Sequence, residues 1–299
     1  MSREIRVTMH WGRRSTAALL SVLLAACGTP EPETQARPAM WLVADDDTKI
    51  YLLGSMHALP ASTDWNHGKV GAVITASDEL VMELSPDELA KAGTVFQALA
   101  PRSAPLAMDR RLPADALAGY RALEASGGDF GGDALDDWAV MVLMGQRVAQ
   151  NAALDPGNGV ESRLTAQFRA DGKPIGGLET ARTQLTLFET LDPATQRALL
   201  TNAAKGAKDA RQEVGKLTAA WARGDVAALE RVINEDVDAV PAARRAIITD
   251  RNHSWMLWTK ARMDRPGTVL MAVGAGHLVG ADGLPALLKA DGYTVTRVQ

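Results

Sequence analysis

The chain has 299 residues, 46% hydrophobic and 23% charged, enough for one sizeable core and unlike a disordered, collagen-like or disulfide-stapled chain. Thirty-two Lys plus Arg against 36 Asp plus Glu give a formal net charge of −4, so the basic excess of a nucleic-acid binder is missing. The one cysteine, Cys27, excludes an intramolecular disulfide and a cysteine-based zinc site.

The N-terminus places Arg3, Arg6, Arg13 and Arg14 ahead of a short apolar run from Ser15 to Ala26. That run is too short for a bilayer, which needs about 20 apolar residues, and it has the layout of a secretory signal. It ends Leu24-Ala25-Ala26-Cys27-Gly28, which resembles a bacterial lipobox, where cleavage precedes an acylated cysteine. The alternative is a plain signal peptide with an incidental cysteine. Acyl chains anchor by burying methylenes at about 0.8 kcal/mol each. Gly28 stands where an aspartate would indicate inner-membrane retention, so the expected place is the cell envelope, at the outer membrane facing the periplasm. Residues 1–26 are read as a lipoprotein signal peptide, 27–39 as a flexible proline-bearing tether, and 40–299 as the folded domain. Met1–Ala26 carries four arginines and Glu4, so the rest of the chain has a net charge of −7.

From Met40 onward, short apolar runs alternate with long alanine- and leucine-rich stretches. Ile50-Tyr51-Leu52-Leu53 and Leu80-Val81-Met82 are continuous enough for strands buried on both faces. Ser85-Pro86-Asp87-Glu88 is a capping box with proline at the first helical position. The glycines around Asp129 and Phe130 predict a loop without phosphate-loop spacing, and Trp138 with its apolar neighbours predicts a core helix. Pro174 to Leu178 is a weaker third strand, and Asp192-Pro193 starts another helix. Pro241 opens a helix running to about Met263, with Ile248, Arg251, Asn252, Trp255, Trp258 and Thr259 on roughly one face. Val269 to Val273 is the strongest strand, and Tyr293 to Val298 partly alternates as an edge strand. The fold class is therefore α/β, a central, largely parallel sheet flanked by helices, with a large helical middle region.

Each apolar run ends in a residue able to do chemistry. The first reaches Gly54-Ser55-Met56-His57, the second Glu83, the third Glu179-Thr180 and the fourth Gly274-Ala275-Gly276-His277. Ligands in open α/β sheets bind at the carboxyl ends of strands, so parallel neighbours would bring these four residues to one cleft. The glycine before each histidine is expected to permit a sharp exit from the strand. Two histidines with one or two carboxylates suit a divalent transition metal, which would activate water. Singly, each residue has an ordinary reading: a solvated histidine, or a carboxylate beside a helix start. Arg251 must pair with a carboxylate, Glu83 or Glu179, or reach the cleft as a substrate or oxyanion contact. His67 and His253 are expected at the surface. No Gly-x-Ser-x-Gly elbow or His-Glu-x-x-His helix is present.

Tyr51 to Pro60, Val81-Met82-Glu83-Leu84, Leu178-Glu179-Thr180 with Gln184, Arg251-Asn252 with Trp255, Ala272 to Leu278 and Asp282-Gly283 together resemble the TraB/GumN family. Gly159-Val160-Glu161 with Leu164 resembles a further acidic motif of that family. The likeness runs from about Trp41 to Val298. The family is related to the Tiki proteins, metal-dependent proteases with two such histidines and a glutamate. More distant relatives are erythromycin esterases and a haem-binding lipoprotein group. The resemblance implies a metal-dependent, peptidase-like hydrolase acting on a peptide or small-molecule substrate. His57 and His277 would hold manganese, cobalt or zinc, with Glu83 as ligand or base. Glu179 would be a ligand or stand behind the ligands, and Arg251 would steady a carboxylate or the oxyanion. The rival readings are a non-catalytic haem- or metal-binding envelope protein and a metal-independent esterase-like hydrolase.

Overall fold

The computed structural model describes residues 34–237 and 240–299; Cys27 and the predicted signal lie outside them. The strands are β1 (Thr34–Gln35), β2 (Met40–Ala44), β3 (Thr48–Ser55), β4 (Thr63–Asp64), β5 (Glu79–Leu84), β6 (Ile175–Glu179), β7 (Gly267–Gly274) and β8 (Val295–Arg297). The helices are α1 (Gly68–Ala76), α2 (Pro86–Leu99), α3 (Ala114–Ala125), α4 (Asp137–Asn151), α5 (Val160–Ala170), α6 (Ala181–Glu189), α7 (Pro193–Gly206), α8 (Ala210–Ala222), α9 (Val226–Val237), α10 (Pro241–Arg244), α11 (Asp250–Met263) and α12 (Leu284–Ala290). Among the described residues no helix is long and apolar enough to cross a membrane.

Six strands form the central sheet in the order β6-β5-β7-β3-β2-β8. The four on the β6 side are mutually parallel, whereas β2 and β8 run antiparallel to their neighbours. The expected mixed α/β sheet with parallel centre and edge strand β8 is therefore present. Strand β2, the apolar run Met40-Trp41-Leu42-Val43-Ala44, is not among the expected strands. It is made by a hairpin in which Asp45 Oδ1 accepts the backbone N–H groups of Asp47 and Thr48, an Asx turn that reverses the chain.

Alternating side chains of the central strands enter two cores, as a sheet covered on both faces requires. Leu53, Leu80, Met82, Leu270 and Ala272 pack with residues of α1, α5, α8 and α9. Ile50, Leu52, Val81, Val269, Met271 and Val273 pack on the other face with Trp255 and Met263 of α11 and Leu284 and Leu288 of α12. The helical middle has its own cores. Helices α3, α4 and α7 share one, and Trp138, fully buried, sits in another with Phe96 and Phe188.

Three local expectations change. Among the described residues pairing begins at Thr34 rather than Met40: Thr34 and Gln35 pair with Thr63 and Asp64, the Ala36 and Arg37 N–H groups donate to Asp64 O and Ala222 O, and Ala36 is buried. Ser85 caps α2 by accepting from Glu88 N, but the Glu88 carboxylate does not close the capping box; it accepts from Ala181 N at the start of α6. The helix expected over Pro241–Met263 carries a wide π turn at Arg245–Thr249. That turn brings Arg244 and Thr249 together onto Asp282 while Arg251 and Asn252 face the sheet.

Candidate functional site

The parallel register fixes the site. Ser55 at the end of β3 pairs with Gly274 at the end of β7, Met82 of β5 pairs with Ala272, and Leu84 pairs with Glu179 at the end of β6. Four strands thus finish side by side, and the residues just beyond or at their ends meet. The glycines serve close packing rather than an unusual backbone, since neither Gly54 nor Gly274 has positive φ. A Cβ on Gly54 would stand 3.3 Å from Cα and Cβ of Ala275, so bare backbone lets the two Gly-x-x-His turns touch. A Cβ on Gly274 would stand 3.1 Å from Glu83 Oε1, 3.7 Å from His277 Cδ2 and 4.0 Å from His57 Nε2. The space this glycine leaves is bordered by three of the expected residues.

The two histidines have opposite environments. His57 is 72% exposed, and its Nδ1 lies 2.8 Å from Glu161 Oε1. Ser55 Oγ donates to the same oxygen at 2.6 Å, and Val160 N donates to Met56 O, docking α5 on the strand exit. Gly159 makes this possible, because a Cβ there would fall 2.1 Å from His57 O. The Glu161 charge and hydrogen bond raise the His57 pKa to about 9; the exposed ring is open to solvent screening. Glu161 Oε2 is buried without a hydrogen-bond partner.

His277 is 5% exposed. Its Nδ1 lies 2.8 Å from Asn252 Oδ1 and its Nε2 2.9 Å from Arg251 Nη1, with Trp255 against the ring at 4.4 Å between centroids. Burial, reinforced by the Arg251 charge, pushes its pKa down to about 3 despite the nearby Glu83 carboxylate. The ring is therefore neutral.

Glu83 is buried, which by itself would raise its pKa. The charges of its histidine and arginine neighbours and the Gly274 N–H outweigh that and hold it down at about 2. Oε1 accepts from Gly274 N at 2.8 Å; Oε2 accepts from Arg251 Nη2 at 2.6 Å and from Gln184 Nε2 at 2.9 Å. Arg251 also donates to both oxygens of Glu179, at 2.8 and 2.9 Å, and to Ile247 O at 3.2 Å. Trp255 supplies a second donor to Glu179 and a ring face to the guanidinium, 4.7 Å from Cζ to centroid. All five N–H donors of Arg251 are thus spent within the protein. The pairing with both Glu83 and Glu179 is the ion-pair alternative raised by the sequence, and no donor remains for an oxyanion.

His57, Glu83, Glu179, Arg251 and His277 come together as the strand ends predict. Glu161, Gln184 and Asn252 join them by direct hydrogen bonds; all three lay in quoted motifs, but nothing local to the sequence gave them partners. His253 is exposed, as expected, and bonds Thr249 O. His67 is half-buried rather than at the surface, because it starts α1 beside buried Trp65, with Nε2 3.8 Å from Asp64 Oδ2. A cavity of about 410 Å³ opens between α6 and α11, lined in part by Thr183, Leu187, Ser254 and Trp258. It meets the network at Glu179, Arg251 and Trp255, and His57 is not among its lining residues.

The donor set fits a metal unevenly. His57 presents a free Nε2 backed by a carboxylate on Nδ1, the arrangement of many metal-binding histidines. Glu83 is ionised with one lone pair, on Oε1, to spare. His277 has both nitrogens committed. Among the described residues no group of three or more histidine, cysteine or carboxylate side chains is assembled to hold an ion.

The model of the TraB/PrgY/gumN family matches residues 39–297, nearly the whole described chain. No curated protein and no solved structure matches.

Proposed function

The chain belongs to the TraB/PrgY/gumN family, and from that premise we propose that it is a lipid-anchored envelope hydrolase of the metal-dependent, peptidase-like kind. The observation that carries the reading is the space beside Gly274, bordered by His57 Nε2, Glu83 Oε1 and the His277 ring. His57 and Glu83 would hold manganese, cobalt or zinc there; His277 could join only by giving up Arg251. The ion when bound would supply a water of lowered pKa and polarise a carbonyl. The chain's own groups prepare the rim. Glu161 holds His57 Nδ1 and leaves the opposite nitrogen at the space beside Gly274. The Gly274 N–H and Arg251 keep the Glu83 carboxylate ionised, the form in which it could ligate an ion. Glu179 neutralises and orients Arg251 from behind.

A second reading, hydrolysis by a His57 base without metal, is favoured by the His57–Glu161 pair. Full-length chain is tested on p-nitrophenyl acetate and a fluorogenic peptide, with manganese, cobalt and zinc scanned before and after EDTA. The metal reading expects EDTA-sensitive turnover, metal uptake lost in His57→Ala and hydrolysis lost in Glu83→Gln. EDTA-resistant turnover lost in His57→Ala selects the base reading. Metal or haem uptake without turnover selects the binding protein. The anchor is checked separately: Cys27→Ser should abolish incorporation of labelled palmitate and release the chain from the membrane fraction.

A further inference from the structure

We infer that His277 is a positioning residue for Arg251 and not a metal ligand. The assignment follows from donor chemistry. Arginine has five donors and no acceptor, so in the 2.9 Å contact with Arg251 Nη1 His277 Nε2 must accept and carries no proton. Asn252 Nδ2 donates to His277 O at 3.2 Å and to Asp282 O at 2.8 Å. Those two bonds orient the amide and turn Oδ1 toward the ring, 2.8 Å from Nδ1. Nδ1 is therefore the protonated nitrogen, and the tautomer is fixed from both sides.

A divalent ion would need the same Nε2 lone pair that Arg251 uses. Freeing it means displacing a buried guanidinium that also holds Glu83, Glu179 and Ile247 O. Leaving those carboxylates unpaired would be strongly unfavourable. His57 has no such obligation on its Nε2. The two Gly-x-x-His turns thus do different work: the first leaves a nitrogen uncommitted beside Gly274, the second commits its nitrogen to Arg251. The chain of contacts Asn252–His277–Arg251–Glu83 sets the carboxylate's direction from one end of α11.

This deepens the proposed role of Glu83 at the rim, and its test is read without turnover. Full-length chain labelled with ¹⁵N in histidine and arginine is examined by NMR as zinc is added. An unprotonated His277 Nε2 whose resonance zinc leaves in place supports the assignment, whether or not His57 responds. A protonated Nε2, or one shifted by stoichiometric zinc, overturns it. Two variants add a readout on Arg251. His277→Gln keeps an acceptor and should preserve protection of the Arg251 Nη1–H, the group His277 accepts from, against exchange. His277→Leu should speed exchange about tenfold, the order expected for losing a hydrogen bond to a charged group. Protection in His277→Leu equal to that of the unaltered chain also overturns the assignment. A chain that hydrolyses nothing leaves all of these readouts intact, so the two readings fail separately.

Discussion

At the scale of single residues, charge placement sets the pH behaviour. The Glu161 carboxylate raises His57 to about 9, so at neutral pH the ring is largely imidazolium, the wrong form for a metal or for a base. Activity or metal uptake should therefore climb as pH rises above neutrality. Glu161→Gln should return the His57 titration, followed by NMR, toward the ordinary 6.5; an unmoved midpoint would sink this account. The stabilisation from this pair is present in full below 6.5 and fades as pH rises through about 9, but solvent screening of the exposed ring keeps it small. The buried groups act on the acid side. His277 folds as a neutral ring with its pKa lowered from 6.5 to about 3, and Glu83 folds ionised with its pKa lowered from 4.5 to about 2. Their stabilisation is present above those unfolded values and lost as pH falls. Urea midpoints should therefore drop from about pH 6.5 downward, and His277→Gln should flatten the upper part of that decline.

At the scale of elements, the glycines at the strand ends convert sheet register into site geometry. A methyl on Gly274 would press on Glu83 Oε1 at 3.1 Å and occupy the space shared with His57 and His277. Since its φ is an ordinary −48°, Gly274→Ala should fold, at a cost of about 1–3 kcal/mol from overpacking. It should abolish zinc uptake or hydrolysis out of proportion to that loss. Wild-type uptake in a folded Gly274→Ala chain would show that the space is not the working one. The strand ends and their four chemical residues were legible in the sequence because buried parallel strands are continuous apolar runs. Strand β2 was legible in the same way, as the apolar run Met40–Ala44, though not among the expected strands; the Thr34 start and the π turn were not, because each depends on a partner segment further along the chain.

At the scale of the molecule, the sheet domain carries the site while the helical middle has a separate buried charge cluster. Asp137 at the start of α4 accepts from Arg111 and Arg197, with Arg102 3.6 Å away. Arg111 is fully buried and also donates to Gly132 O. Asp137→Asn should cost about 3–5 kcal/mol, because it strands a buried guanidinium, and should lower the urea midpoint without changing His57 titration. A loss below about 1 kcal/mol, the worth of an exposed pair, would show that water already compensates this cluster.

The sequence by itself determined the α/β class, the order of the main strands and the identity of the chemical residues at their ends. These follow from hydrophobic periodicity and local stops, which are properties of short stretches. It also carried the motifs that the family match extends across residues 39–297. Only the tertiary structure decided how the residues divide their work. Glu161 joins His57 across 104 positions, and Arg251 meets Glu83 across 168. Hydrogen-bond partners at such separations are chosen by sheet register and helix docking. That is why two identical-looking Gly-x-x-His turns end with one nitrogen open and the other committed.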